Sequence, residues 1–164
     1  MQPEAPFVLD TNVLVYALFA ASSHHERSRG FPERAITRGL PICLTPQVVA
    51  EFAGIATDPR RVTRPRSPEE TADTIAGLLA LPSVSMLSVS AGATRRWLSL
   101  LREHGRTRQH VFDLQLAATM LEHEVRTIYT FNTGDFEGIA GLIVRTPMSS
   151  EGPPGESGNG QRRA

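Results

Sequence analysis

Lysine is absent from this chain of 164 residues, and all 17 basic side chains are arginine. That absence excludes a Walker-type phosphate loop, a Schiff-base lysine and the lysine of response-regulator receivers. Cysteine is nearly absent too. Cys43 stands alone, so no intramolecular disulfide can form, and its neighbours Ile42 and Leu44 read it as a small core hydrophobe. No stretch approaches the roughly 20 apolar residues of a spanning helix, and Asp10 interrupts the early apolar run a secretory leader would need. The expected location is the cytoplasm, with no membrane partner. Neither GxGxxG, GxSxG nor HExxH is present, and the five histidines (His24, His25, His104, His110, His123) form no ligand pair, which reads each as a surface or packing residue. An aspartyl-phosphate enzyme needs a second acid two residues beyond the first, where this chain has Asn12. Excess charge of either sign is also lacking: 17 acids balance 17 bases, so any nucleic-acid affinity has to come from local patches.

What is present is a series of short apolar runs alternating with helical patterns. Phe7–Leu9, Ile42–Leu44, residues within 84–89, 127–130 and 142–144 read as strands. Helices are expected from Thr11 or Asn12 as cap through Ala21, over 24–38 with an interruption at Gly30-Phe31-Pro32, and over 46–57 behind Thr45-Pro46. Further helices are expected from the capping box Ser67-Pro68-Glu69-Glu70, from Ser90 to near Gly105, and over 110–123. Alternation of this kind implies a parallel sheet covered on both faces, the α/β class, whose clefts lie at the carboxyl ends of strands. Residues 1–147 form one domain. Ser149 to Arg163 contain no apolar residue beyond glycine and proline, so 148–164 read as a disordered tail.

Three acids stand where acids are unexpected. Asp10 closes a strand and precedes a helix, which suits a helix cap as well as a ligand. Glu51 shares a helical face with Val48, Phe52 and Ile55, where a glutamate either snorkels outward at the stripe's edge or has a buried partner, and Asp113 shares one with Leu116, Ala117 and Met120. Burying an unpaired carboxylate costs at least several kcal/mol. An arginine partner such as Arg95 or Arg108 would explain one inward acid; a shared divalent cation explains several. Carboxylates without a histidine pair select a hard ion, Mg²⁺ or Mn²⁺.

With those residues in place, the chain resembles PIN-domain ribonucleases, and in particular the VapC-type toxins of type II toxin–antitoxin pairs. The segments that carry the resemblance are VLDTNVLVYAL, TPQVVAEFAGIATDP, HVFDLQLAATMLEH and TIYTFNTGDFEGIAGLIV, in the family's order and together spanning nearly all of residues 7–146. The resemblance implies a PIN-like three-layer α/β/α fold with a five-stranded parallel sheet and an acidic pocket at one edge. It implies that Asp10, Glu51 and Asp113 hold Mg²⁺, or Mn²⁺, and that water activated by the ion hydrolyses an RNA phosphodiester. Thr11 matches a hydroxyl residue beside the site. The family's fourth acid falls at Asn132 here, with Asp135 close by as a supporting acid that can substitute for it. The resemblance further implies a VapB-like antitoxin and a homodimer.

Two arginine groups are candidates for RNA contact: Arg60, Arg61, Arg64 and Arg66 in one loop, and Arg102, Arg106 and Arg108 with His110 ahead of Asp113. The alternatives to a toxin ribonuclease are a PIN-domain nuclease of RNA processing or decay and a non-catalytic module whose acidic pocket docks a basic peptide.

Overall fold

The computed structural model describes residues 4–19 and 25–147. Five strands, β1 (Phe7–Leu9), β2 (Ile42–Leu44), β3 (Val84–Met86), β4 (Thr127–Tyr129) and β5 (Ile143–Arg145), pair in parallel throughout in the order β3-β2-β1-β4-β5. The inner strands β1 and β2 are buried at every residue, while β3 and β5 at the edges are largely exposed. This gradient is why the inner strands read as unbroken apolar triplets.

Helices α1 (Thr11–Leu18), α2 (His25–Thr37), α3 (Pro46–Ala56) and α4 (Pro68–Leu79) lie in the crossovers β1→β2→β3, and α5 (Ala91–His104) and α6 (His110–Glu122) in the return crossover to β4. Right-handed crossovers running in opposite directions put the two groups on opposite faces of the sheet, giving three layers. Between them Val8, Leu9, Leu44, Leu114, Met120 and Ile128 are fully buried, each contributing about 1.5–3 kcal/mol by burial. Among the described residues no helix is long and apolar enough to cross a membrane.

Several local expectations change. The cap of α1 is Asp10, whose carboxylate accepts from the Thr11 N–H, rather than Thr11 or Asn12. That helix ends at Leu18 with Phe19 as its C-cap; Ala20 and Ala21, expected within it, fall outside the described residues, as does the tail 148–164. Helix α2 runs without interruption through Pro32. Phe31, Pro32 and Ala35 are buried, with the Phe31 ring 4.3 Å from that of Tyr129 and 6.1 Å from that of Phe7. Core packing therefore outweighs the break that Gly-Phe-Pro favours locally. Gly39, at φ 65°, closes this helix with its N–H on the Ile36 carbonyl. Thr45 caps α3, and the Ser67–Glu70 capping box forms as expected.

Candidate active site

The sheet order places the site. From β1 the chain steps to β2 and β3 on one side, and β4 and β5 lie on the other, so strand order reverses between β1 and β4. Loops leaving such a switch point diverge and open a cleft at the strands' carboxyl ends. The cleft there measures about 660 Å³. Asp10 follows β1 directly, and its N–H extends the ladder with a 3.0 Å bond to the Tyr129 carbonyl. Thr130 follows β4.

Asp10 is held from three sides. Its Oδ1 accepts from the Thr11 N–H at 2.7 Å, and its Oδ2 accepts from the Asn12 Nδ2 at 2.8 Å and from the Thr130 hydroxyl at 2.6 Å. Only 9% of the residue is exposed. Burial pushes its carboxyl above the ordinary range; the Thr130 and Thr11 hydrogen bonds oppose this, and the charges of Glu51 and Asp135 add to it. Asn12 also ties the loop after β4, donating to Thr130 Oγ1 at 3.0 Å and accepting from the Phe131 N–H at 3.1 Å. Neither Asn12 nor Thr130 was expected to serve the site. A polar residue two positions after Asp10 and a threonine ending an apolar strand were signals, but their meeting depends on β1 pairing with β4.

Glu51 takes the outward of the two readings its spacing allows. It is exposed rather than inward, because it stands at the margin of the stripe that Val48, Phe52 and Ala56 bury. It still reaches the cleft. The Thr11 hydroxyl donates to its Oε2 at 2.9 Å, and Gln47 donates to its Oε1 at 3.0 Å. The Thr11 side chain thus holds an acid instead of capping a helix.

Asp113 lies in the first turn of α6, one turn before the buried Leu116 and Ala117 and two before Met120. Trp97 fixes that turn by donating from Nε1 to the Val111 carbonyl at 2.8 Å. Among the described residues no arginine pairs with Asp113; His110 Nδ1 lies 3.3 Å from its Oδ2 instead. Its carboxyl is pushed up to about 6, first by desolvation and next by the charge of Asp135, against the His110 contact. The charge is only partly compensated, although the α6 N-terminus favours an anion there.

The loop after β4 carries Asn132 and a short helix, η1 (Thr133–Asp135). Both Asn132 and Asp135 line the cleft. The Asn132 N–H donates to Thr130 Oγ1 at 2.9 Å, whereas Asp135 Oδ1 comes within 3.4 Å of His110 Nδ1. The geometry brings Asp135, the lesser candidate in sequence, to Asp113. His110, Asp113 and Asp135 each offer one ligand atom within 4.8 Å of the others, close enough to hold a metal ion. Like charge concentrated in this way, with Arg61 the cation among the described residues lining the cleft, fits a divalent cation and would repel an RNA phosphate without one.

The arginines divide. Arg106 donates to the backbone carbonyls of Asp135 and Glu137, so it clamps the η1 loop. Arg66 donates to the Thr74 hydroxyl at 2.7 Å and sits 5.7 Å over the Phe19 ring. Arg60, Arg61, Arg64, Arg102 and Arg108 are exposed.

Fold and site together define a parallel α/β protein with a cation-competent acidic cleft at its switch point. Residues 7–142 match the PIN domain family. The chain is 32% identical over 118 residues to the VapC ribonuclease Mb2897 of Mycobacterium bovis, covering 70% of this chain and 78% of that protein. It is 28% identical over 144 residues to ribonuclease VapC48 of Mycobacterium tuberculosis, covering 85% and 96%. Its fold is similar to that of Mycobacterium tuberculosis VapC20, a sarcin–ricin loop cleaving toxin, with a TM-score of 0.61 at 21% identity over 85% of this chain and 98% of that one. It is also similar to VapBC2 from Rickettsia felis bound to a promoter DNA fragment, with a TM-score of 0.60 at 20% identity over 86% and 98%. The chain belongs to the PIN domain family and, within it, to the VapC ribonucleases.

Proposed function

We propose that the chain is a Mg²⁺-dependent endoribonuclease and the toxin of a VapBC-like pair. The observation that carries this reading is the convergence of Asp10, Glu51, Asp113 and Asp135 from four separate elements into one cleft. Asp10 and Asp113 hold the ion, Asp135 takes the place expected of Asn132, and Glu51 acts directly or through water. A bound Mg²⁺ or Mn²⁺ supplies neutralisation of the cluster, activation of water and stabilisation of charge on the phosphate. The chain's own residues orient these parts. Thr130, Asn12 and the Thr11 N–H fix Asp10, the Thr11 hydroxyl fixes Glu51, and Arg106 fixes the backbone of Asp135.

RNA contacts Arg61, which lines the cleft, and the exposed Arg60, Arg102 and Arg108 are further phosphate contacts. Phe112, 52% exposed beside Asp113, offers a face for an unstacked base, which suits single-stranded RNA. The relatives in VapBC assemblies support a VapB-like antitoxin, and an acidic cleft is complementary to a basic side chain from it. A homodimer, a cytoplasmic location and a single domain over 1–147 complete the reading.

The test compares wild type with Asp113→Asn for growth arrest and for cleavage of RNA, each with Mg²⁺ and with chelator. The reading expects both activities in wild type with Mg²⁺ and a loss of at least about a hundredfold in the variant. Equal activity in the two proteins would sink it.

A further inference from the structure

We propose that His110 is a nitrogen ligand of the cation site and raises its affinity for Mn²⁺, a first-row transition ion, relative to Mg²⁺. This inference rests on the ribonuclease reading above. His110 and Asp113 stand three residues apart in the first turn of α6, so their side chains project from one face. Asp135 meets them from η1, whose backbone Arg106 clamps.

His110 Nδ1 lies 3.3 Å from Asp113 Oδ2 and 3.4 Å from Asp135 Oδ1. The contact to Asp113 is a long hydrogen bond, and both distances sit just beyond the usual N–H···O range of about 2.7–3.2 Å. With the proton on Nε2, the Nδ1 lone pair faces the same space as the two carboxylates. Three atoms no more than 4.8 Å apart enclose a point at most about 2.8 Å from each, and small side-chain rotations shorten that to metal–ligand distances of about 2.1 Å. The imidazole is 43% exposed, so Nε2 is free to keep its proton toward water.

A ligand set of carboxylate oxygens alone suits Mg²⁺, which also retains several waters and near-ideal octahedral geometry. Imidazole in place of one oxygen favours first-row transition ions over Mg²⁺. His110 resembles a surface histidine in sequence because no second histidine accompanies it; its ligand partners are aspartates, one of them 25 positions away.

The experiment loads the tag-free full-length chain with Mn²⁺ and records ¹⁴N coupling by electron spin-echo spectroscopy, beside calorimetric titrations of Mn²⁺ and Mg²⁺, for wild type, His110→Ala and His110→Gln. Expected are a directly coordinated nitrogen in wild type, its loss in both variants, and Mn²⁺ affinity lowered about tenfold or more with Mg²⁺ affinity changed less than about twofold. Mn²⁺ bound to wild type without nitrogen coupling overturns the inference and leaves the ribonuclease reading standing. Coupling that persists in the variants, or equal losses for both ions, overturns it as well. Failure of wild type to bind either ion overturns both.

Discussion

The Thr130 hydroxyl donates a 2.6 Å hydrogen bond to Asp10 Oδ2 across 120 residues of sequence. Through it the two strands that flank the switch point share one polar contact at their carboxyl ends. The same hydroxyl accepts from Asn12 Nδ2 and from the Asn132 N–H, so it joins the first acid of the site to the loop that presents Asp135. Thr130→Val keeps the shape and removes every one of these bonds. Leaving buried groups unpaired costs about 1–3 kcal/mol, a fall in Tm of roughly 3–10 °C for a chain of this size. Divalent-cation affinity should fall as well, and Thr130→Ser should restore both. An unchanged Tm in the valine variant would show that Asp10 is oriented by other groups.

Asp113 sets a pH dependence whose sign follows from burial. Its folded-state value of about 6 lies above the ordinary 3.8, so the folded protein holds that proton more tightly than the unfolded chain. Its ionisation therefore costs stability progressively as pH rises from about 4 through about 6, and the loss levels off above. A divalent cation competes with the proton, so its affinity should rise across the same window. In thermal unfolding without cation, Asp113→Asn should gain on wild type by roughly 2–6 °C between pH 4 and pH 7. Added cation should reverse the order at pH 7. A constant difference between the two proteins across this range would argue that Asp113 is not desolvated.

The layered fold was legible because the apolar triplets at 7–9 and 42–44 sit in fully buried strands, where no polar alternation is needed. Asp10 and Asp113 were legible for a related reason: each interrupts an apolar pattern that burial would otherwise fill. Glu51 was legible as a site residue while its exposure stayed open, since three-and-four spacing does not separate the centre of a helical stripe from its margin. The continuity of α2 through Pro32 was hidden because Phe31 packs on Phe7 and Tyr129, residues far away in sequence. Thr130 escaped for the same cause, as did the links from Asn12 to the loop after β4 and from His110 to Asp135, partners that strand order and not spacing brings near.

The arginines ahead of α6 should separate by function. Arg102 and Arg108 are exposed, whereas Arg106 holds two backbone carbonyls of the η1 loop. Replacing Arg102 and Arg108 together by serine should weaken RNA binding and lower the slope of log affinity against log salt by about 1 to 2, with little change in Tm. Arg106→Ser should instead lower Tm, by an amount corresponding to about 1–3 kcal/mol, and reduce cation affinity by releasing Asp135. Fluorescence titrations of a single-stranded RNA at several salt concentrations, beside thermal unfolding, read both effects. An Arg106 variant that loses salt slope and keeps its Tm would place that side chain on phosphate.

Glu51 offers the cleanest separation of charge from structure. It is exposed, and the Thr11 hydroxyl and the Gln47 amide both donate to it, so glutamine can keep one accepting oxygen for the Thr11 hydroxyl while losing the negative charge. Surface changes of this kind usually alter stability by less than about 0.5 kcal/mol. If Glu51 helps hold the cation or its water, Glu51→Gln should leave Tm within about 1–2 °C of wild type and still lower RNA cleavage at least about tenfold. Thr11→Val, which removes the hydroxyl and keeps the Glu51 charge, should lower cleavage less, because it frees the carboxylate without neutralising it. Cleavage assays at saturating divalent cation, run beside melting curves, distinguish these outcomes. Full activity in Glu51→Gln would remove Glu51 from the site and leave Asp10, Asp113 and Asp135 as its acids.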